Sequence, residues 1–388
     1  MDLGAFESSP TGHLVPIEVR QRGETVPYYA FLPAPLPDDP LLSSSTWAAI
    51  VHAASTLAEL RTLAEDRLPD PLLIGRVTVR REAVSTSALE GTYAPARQVL
   101  SSEMDEASPR DAGVVEILNY VRAWDDAVAS TLPVCVRLAC ELQGRLVRGT
   151  PSEDYQTGSV RQTQVLIGPY RGCSIQESTY VPPPPGADLE AGLSSWEKWL
   201  NESACHDLVK VALGHYQFEA LHPFTDGNGR IGRLLAILQL IHAGLLPGPL
   251  VNLSPYFEQR SEEYRHRLRS VSTHGAIDEW IQFFCEAIAN QATEAQERIR
   301  RLLSWRDETV EVLRANGRKG SVVDLVPFLI EYPVITVKQA KSLLGVSNPS
   351  ANGAVNALES MGILVETTGG NYNRVFEAPA VLDVIFGP

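Results

Sequence analysis

The five cysteines include no C-x-x-C pair. Cys135, Cys140, Cys173, Cys205 and Cys285 are scattered along the chain, which excludes a C-x-x-C zinc framework and a disulfide scaffold and points to a reducing cytoplasm. No apolar run is long enough to span a bilayer. The opening stretch, MDLGAFESSPTGHLVP, lacks a basic segment followed by an apolar one, so no signal peptide is expected. An excess of positive charge is missing as well: 33 Lys and Arg face 47 Asp and Glu, for a formal net charge of -14. That balance argues against broad contact with nucleic acid or a membrane surface, while leaving room for a local basic pocket. Internal repeats are absent too.

What remains is an ordinary globular composition, 44% hydrophobic and 21% charged over 388 residues, long enough for two or three domains. Residues 1–45 are rich in Pro, Ser and Asp, and FLPAPLPDDP (31–40) reads as an irregular, extended arm. Apolar residues at helical spacing follow over 46–65, and 70–92 reads as a second helix stopped near Gly91. From 113 to about 300 the pattern is helical except at 158–186, where alternation, a Gly-Pro step and four prolines read as a β-hairpin followed by a rigid turn. After GRKGS (317–321) come three short helical segments and a hairpin turned at Gly369-Gly370, the outline of a winged helix-turn-helix. The expected domains are therefore 1–112, 113–316 and 317–388. The fold class expected is mainly α, with a flap hairpin and a C-terminal winged helix.

The chemistry concentrates in ALHPFTDGNGRIGRLL (220–235). Two arginines at a helix start oppose the helix dipole unless an anion sits opposite them. Pro223 disfavours the α conformation at His222, so His222 is expected at a helix exit, extended and facing a cleft. There its unperturbed pKa suits a general base acting on a hydroxyl. Gly227 and Gly229 let the backbone approach a ligand and form an anion-binding nest, and the next helix adds its free N–H groups. Arg230 and Arg233 share a face, and Asp226 beside a phosphate makes sense as a carboxylate for Mg²⁺. A base, a phosphate cradle, a metal carboxylate and two arginines fit transfer of a nucleotidyl or phosphoryl group to a hydroxyl, with the reaction type left open by spacing alone.

HPFTDGNGRIGR resembles, at every fixed position, the signature of Fic-domain proteins. The resemblance implies a protein adenylyltransferase that moves AMP from ATP to a hydroxyl of a target protein, with Mg²⁺ as cofactor. It makes His222 the base, Asp226 the Mg²⁺ ligand, and Asn228 with the amides of Gly227 and Gly229 the phosphate holders. Arg230 then neutralises the β-phosphate region, Arg233 reaches the γ-phosphate, and Phe224 anchors the loop. VLIGPYRGCSIQESTYVPPPP resembles the family's flap, with Val165, Leu166 and Ile167 pairing a target segment by β-addition. LVNLSPYFEQRSEEYRHRL resembles the segment that closes the adenine pocket. TSALEG (86–91) resembles the inhibitory motif, which makes Glu90 a substitute anion for Arg233 steadied by Thr86 one turn earlier. Gln143 stands where many relatives carry histidine, and Glu263-Tyr264 where a tyrosine pair is frequent.

Several features have plainer readings. His206 and His215 are nine apart, which suits no metal site, and both read as structural. The Pro run 182–185 reads as a rigid turn. From 321 to 388 the basic residues Lys338, Lys341 and Arg374 face Asp324, Glu331, Glu359, Glu366, Glu377 and Asp383, which favours protein contact or a homodimer over DNA binding. Alternatives that remain are removal of AMP from a modified target, with Glu90 orienting a water, and a DNA-binding regulator whose core senses nucleotide.

Overall fold

A computed structural model of the chain describes residues 1–21, 23–68, 72–104, 111–170, 172–369 and 374–387. The first elements are α1 (Leu3–Glu7), β1 (Gly12–Gln21), β2 (Glu24–Pro33), α2 (Ser44–Arg67), α3 (Leu72–Leu89), α4 (Ala96–Met104) and α5 (Ala112–Ala129). Then come α6 (Val136–Val147), α7 (Ala187–Glu202), α8 (Asp207–Leu221), α9 (Asn228–His242), α10 (Ser254–Gln259), α11 (Ser261–His274) and α12 (Ile277–Ala315). The last are α13 (Ser321–Asp324), α14 (Phe328–Glu331), β3 (Val334–Thr336), α15 (Val337–Leu344), α16 (Asn348–Ser360), β4 (Val365–Glu366), β5 (Val375–Glu377) and α17 (Pro379–Phe386). The chain is mainly helical, as the periodicity predicts. It folds as two compact units, one built from 1–57, 119–245 and 253–290, the other from 58–118, 246–252 and 291–388.

In the first unit α8 and α9 are the innermost helices. Their sequences are apolar on almost every side, and such helices are stable only when surrounded. The indoles of Trp196 and Trp280 donate to the carbonyls of Gly214 and Ala212, at 2.9 and 2.8 Å, so two neighbouring helices are fastened to α8 by hydrogen bonds as well as by burial. His215, on the same helix, is stacked among Phe257, Tyr264 and Trp280. Helices α8 and α9 approach closely at Gly232, where a Cβ would stand 2.7 Å from Glu219 Oε1.

Two expectations fail in this unit. The expected irregular arm, 31–40, is irregular only after Pro33: its first three residues end a ten-pair antiparallel ladder that the sequence reading did not foresee, running from Gln21 opposite Glu24 to Gly12 opposite Pro33. Ala34 continues it by donating to the Thr11 carbonyl at 2.8 Å. That phase makes the odd-numbered residues of β1 the ladder-bonded ones. Pro16, Pro27 and Pro33 all fall in the alternate pairs, where the missing N–H would point away from the partner strand. The prolines that suggest a loop therefore remove no ladder bond. Phe31, in the same alternate phase, turns its N–H outward to the Val181 carbonyl at 2.8 Å.

The expected flap hairpin, conversely, is reduced to one antiparallel bridge between Ile167 and Tyr180 among the described residues. Its two cross-strand bonds measure 3.0 and 3.1 Å. Beyond Ile167 the chain folds back on itself: a Cβ on Gly168 would lie 2.2 Å from Cys173 Sγ, and Pro169 has no N–H to lend to a ladder. Ser174 and Tyr170 instead donate to the Glu177 carboxylate, at 2.8 and 2.7 Å, and close a compact turn.

In the second unit α3 is held by ion pairs and an amide. Arg76 reaches Glu331 at 2.9 Å and Arg80 reaches Glu103 at 2.7 Å, while Asn252 donates to the Thr78 carbonyl at 2.7 Å. The C-terminal elements form a three-stranded antiparallel sheet in the order β3-β5-β4, with Leu100, Val334 and Leu382 packed into a small core. Helices α15 and α16 start at Thr336 and Ser347, whose hydroxyls accept from the amides of Gln339 and Ser350. The first of the three expected helices is split into α13 and α14, because Pro327 cannot donate to a preceding turn. The strands β4 and β5 pair as the predicted hairpin, whose turn at Gly369-Gly370 reaches into residues outside the described ones.

Candidate active site

Helix α8 stops at His222, whose N–H still donates to the Phe218 carbonyl at 3.0 Å. His222 is not extended. Its φ of 49° and ψ of 63° are left-handed, and among the described residues it is the one non-glycine with positive φ. Pro223 closes the right-handed region to it, and a left-handed C-cap is the other common way to end a helix. The Nδ1 atom faces the Glu219 carbonyl at 3.4 Å. A carbonyl can only accept, so the neutral imidazole carries its hydrogen on Nδ1 and its lone pair on Nε2.

The loop between α8 and α9 is fastened from inside by Asn228. Its Oδ1 accepts from the Phe224 N–H at 2.8 Å and its Nδ2 donates to the Phe224 carbonyl at 2.9 Å. Phe224 is buried and packs against Phe218. The Asn228 side chain thus shapes the loop, and what it offers a ligand is its backbone N–H. Gly227 adopts φ 86°, and a Cβ there would stand 2.9 Å from Leu146 Cδ2, so the position needs glycine on two counts. The first intrahelical bond of α9 runs from Ile231 to Gly227 at 3.0 Å, which puts the amides of Asn228 and Gly229 ahead of it at the helix start.

Asp226 sits at the mouth of this turn. Its Oδ1 accepts from Arg230 Nη2 at 2.9 Å, and its Oδ2 accepts from the Ser152 hydroxyl. The Asp226 carbonyl accepts from Gln143 Nε2 at 3.2 Å, while Gln143 Oε1 takes the Gly158 N–H at 2.7 Å. Arg230 and Arg233 are both buried on α9. Beside Arg233, the His215 imidazole is pushed down to about 3 by burial and, next, by that guanidinium. His215 is therefore neutral, with Nε2 2.7 Å from the Tyr264 hydroxyl, and it is a structural ring as its sequence setting suggests.

The first unit thus brings His222, Asp226, Gly227, Asn228, Gly229, Arg230 and Arg233 into one turn and one helix start. Val165, Leu166 and Ile167 lie half-buried in the segment ending at the Ile167–Tyr180 bridge. Thr86 and Glu90 belong to the second unit. Thr86 is buried and Glu90 is exposed, the last residue before a left-handed Gly91. Gly91 and Thr92 donate back to the carbonyls of Ala88 and Ser87, both at 2.9 Å, a Schellman stop that gives the Glu-Gly pair a structural role.

Sequence reasoning passed over Ser152, Arg161 and Tyr180, and marked Gln143 only as a departure from the family pattern. Gln143, Ser152, Arg161 and Tyr180 are all buried and all fasten the loop or its approach; Tyr180 does so through its hydroxyl, 2.8 Å from the Ala220 carbonyl. None carries a spacing signal, since each reaches across a long sequence separation, Gln143, Arg161 and Tyr180 to backbone atoms and Ser152 to the Asp226 carboxylate. Among the described residues no cluster of three His, Cys, Asp or Glu side chains exists. Mg²⁺ needs no such cluster: one accessible carboxylate plus phosphate oxygens satisfies it, and Asp226, with 27% of its side chain exposed, fits that chemistry.

A model of the Fic/DOC family matches residues 133–240, and a model of the Fic/DOC family N-terminal region matches 47–129. The chain is 28% identical over 214 residues to a Drosophila ananassae protein named Protein adenylyltransferase Fic, an overlap of 52% of this chain and 38% of that one. It is 35% identical over 119 residues to a Nematostella vectensis protein of the same name, 30% of this chain and 26% of that one. The chain thus spans well under half the length of these curated relatives. Among solved structures, a Fic family protein from Desulfovibrio desulfuricans G20 shares the fold with a TM-score of 0.56 at 20% identity, covering 88% of this chain and 98% of that one. Fic-1 (aa134 - 508) from C. elegans gives 0.50 at 19% identity, covering 66% and 73%.

Proposed function

The chain belongs to the Fic/DOC family, and from that premise we propose that it is a protein adenylyltransferase, transferring AMP from ATP to a Ser, Thr or Tyr hydroxyl of a target protein and of itself. The observation that carries the reading is the left-handed His222, standing at the head of a turn that ends in a cationic helix start. The acceptor proton passes to Nε2 and the acceptor oxygen bonds to the α-phosphorus. The bond from that phosphorus to the oxygen shared with the β-phosphate breaks, and pyrophosphate leaves with its electron pair. The amides of Gly227, Asn228 and Gly229 and the two arginines hold the phosphates, Arg230 toward the β- and Arg233 toward the γ-phosphate. Asp226 would hold Mg²⁺, which neutralises phosphate charge when bound. Val165, Leu166 and Ile167 present the backbone against which a target segment is laid.

Self-inhibition belongs to the same proposal: Glu90, with Thr86 one turn before it, offers Arg233 an anion in place of the γ-phosphate. Residues 1–112, 113–316 and 317–388 remain the proposed domains, the last a winged helix serving protein contact or homodimer formation in the cytoplasm. The test uses the full chain and ATP labelled at the α-phosphate. Glu90→Gly is expected to raise label transfer to protein, and His222→Ala in that background to abolish it. Label transfer that survives His222→Ala would sink the mechanism; release of AMP from a pre-modified target by the parent chain, lost in Glu90→Gly, would favour the reverse reaction.

A further inference from the structure

Arg161 is 1% exposed, and no carboxylate among the described residues pairs with it. Burial pulls its guanidinium down to about 10, so holding a cation here has to be offset by other groups. Every acceptor it has is a backbone carbonyl. Nε donates to His222 at 2.8 Å, Nη2 to Pro183 at 2.6 Å and Leu221 at 3.4 Å, and Nη1 to Thr163 at 3.2 Å. Its own N–H donates to the Pro223 carbonyl at 2.8 Å.

Those partners fall into two groups. Leu221, His222 and Pro223 are consecutive and span the turn that contains the left-handed His222. The Leu221 and His222 carbonyls are among the last of α8, which lack intrahelical donors and form the negative end of its dipole, and this is what makes the site hospitable to a cation. Thr163 and Pro183 flank the flap segment at its two ends, one before Val165 and one in the proline turn. A left-handed conformation is unfavourable for a non-glycine residue and persists only where neighbours over-determine it. Arg161 is the neighbour that does so, and it joins that turn to the flap through one planar group.

We propose that Arg161 is the positioning residue of the adenylyl-transfer site: it locks the backbone of His222 in its left-handed turn and ties that turn to both ends of the flap. The base and the docked target segment then keep one register. The inference rests on the reading of His222 as the base. It assigns Arg161 no contact with ATP, so its loss is felt in turnover and not in nucleotide binding. The fork geometry matters as well as the charge, since four carbonyls in different directions exceed what a lysine ammonium with three donors can serve.

The experiment compares Arg161→Lys and Arg161→Met in the full-length Glu90→Gly chain. For Arg161→Met, kcat for label transfer is expected to fall about a hundredfold, the cost of a base displaced by roughly 1 Å, with KM for ATP changed less than about twofold. Arg161→Lys keeps the charge and loses part of the fork, so it falls between parent and Met. The acidic limb of the kcat profile moves to higher pH in Met and stays in Lys, because removing a nearby cation makes the imidazolium easier to form. The other charged groups of this corner, Glu219, Asp226 and Arg230, are common to all variants. Parallel loss of kcat and ATP affinity, or full activity in both variants, overturns the proposal. NMR titration of the His222 ring reads the same effect without turnover. A His222 signal that titrates alike in parent, Lys and Met overturns it even where no transfer is seen, whereas an inactive Glu90→Gly parent with a shifted His222 signal in Met counts only against the adenylyltransferase reading.

Discussion

His215 shows how a single residue's chemistry is decided by what surrounds it. In sequence it is a histidine seven residues ahead of His222 on one helix; in the fold it is a neutral ring in an aromatic stack. Its pKa is depressed from 6.5 to about 3 by burial and Arg233, so the unfolded chain takes up a proton that the folded one refuses across that window. Stability is therefore lost as pH falls from about 6.5 toward 3, by up to about 1.4 kcal/mol per pH unit from this group. His215→Phe is expected to flatten the decline of the urea midpoint between pH 6.5 and 4, at the expense of the Tyr264 hydrogen bond; an unchanged slope would refute the assignment. Asn228 is a second case. Its amide is consumed by both backbone groups of Phe224, so Asn228→Ala should lower the melting temperature as well as activity, with a cost of about 1–3 kcal/mol for the buried groups it strands.

Among the elements, two glycines with the same φ separate backbone conformation from steric approach. Gly91 ends α3 and Gly227 begins α9, both at φ 86°. A Cβ at Gly91 meets nothing within 4 Å, whereas at Gly227 it meets Leu146 at 2.9 Å. Gly91→Ala should thus show the conformational penalty alone, about 1 kcal/mol by chemical denaturation. Gly227→Ala should cost more and also weaken ATP binding, since the helix start has to shift. Equal losses at the two sites would show that Leu146 gives way freely. Helices were the most legible elements, because apolar spacing and a stop such as Gly91 are local signals. The β1–β2 ladder was not legible, since its prolines read as loop until the pairing phase places them in the alternate pairs. The flap misled in the other direction: its alternation promised a ladder that Gly168 and Pro169 cut short.

At the level of the whole molecule, charge sets a limit on partners. The chain carries a formal net charge of -14, and α16, the helix that would enter a DNA groove, has neither Lys nor Arg. Its neighbour Arg374 is engaged with Asn352, Asn356 and Glu359. The full chain is expected to show no salt-dependent anisotropy change with duplex DNA at micromolar concentration, where non-specific binders respond. A steep salt-dependent response would restore the regulator reading. No helix among the described residues is long and apolar enough to cross a membrane.

What the sequence determined by itself was the chemistry of the turn from His222 to Arg233: residue types at fixed short spacing, where a proline, two glycines and a helix start dictate what a dozen residues can do. How that turn is held was settled by folding. The left-handed backbone of His222, the closure of Asn228 on Phe224, and the grip of Gln143, Ser152 and Arg161 on backbone and carboxylate atoms are all contacts to groups whose partners no local pattern predicts. Local spacing can specify a reactive group, but the over-determination that keeps a strained backbone in place comes from segments distant in the chain, and those meet only on folding.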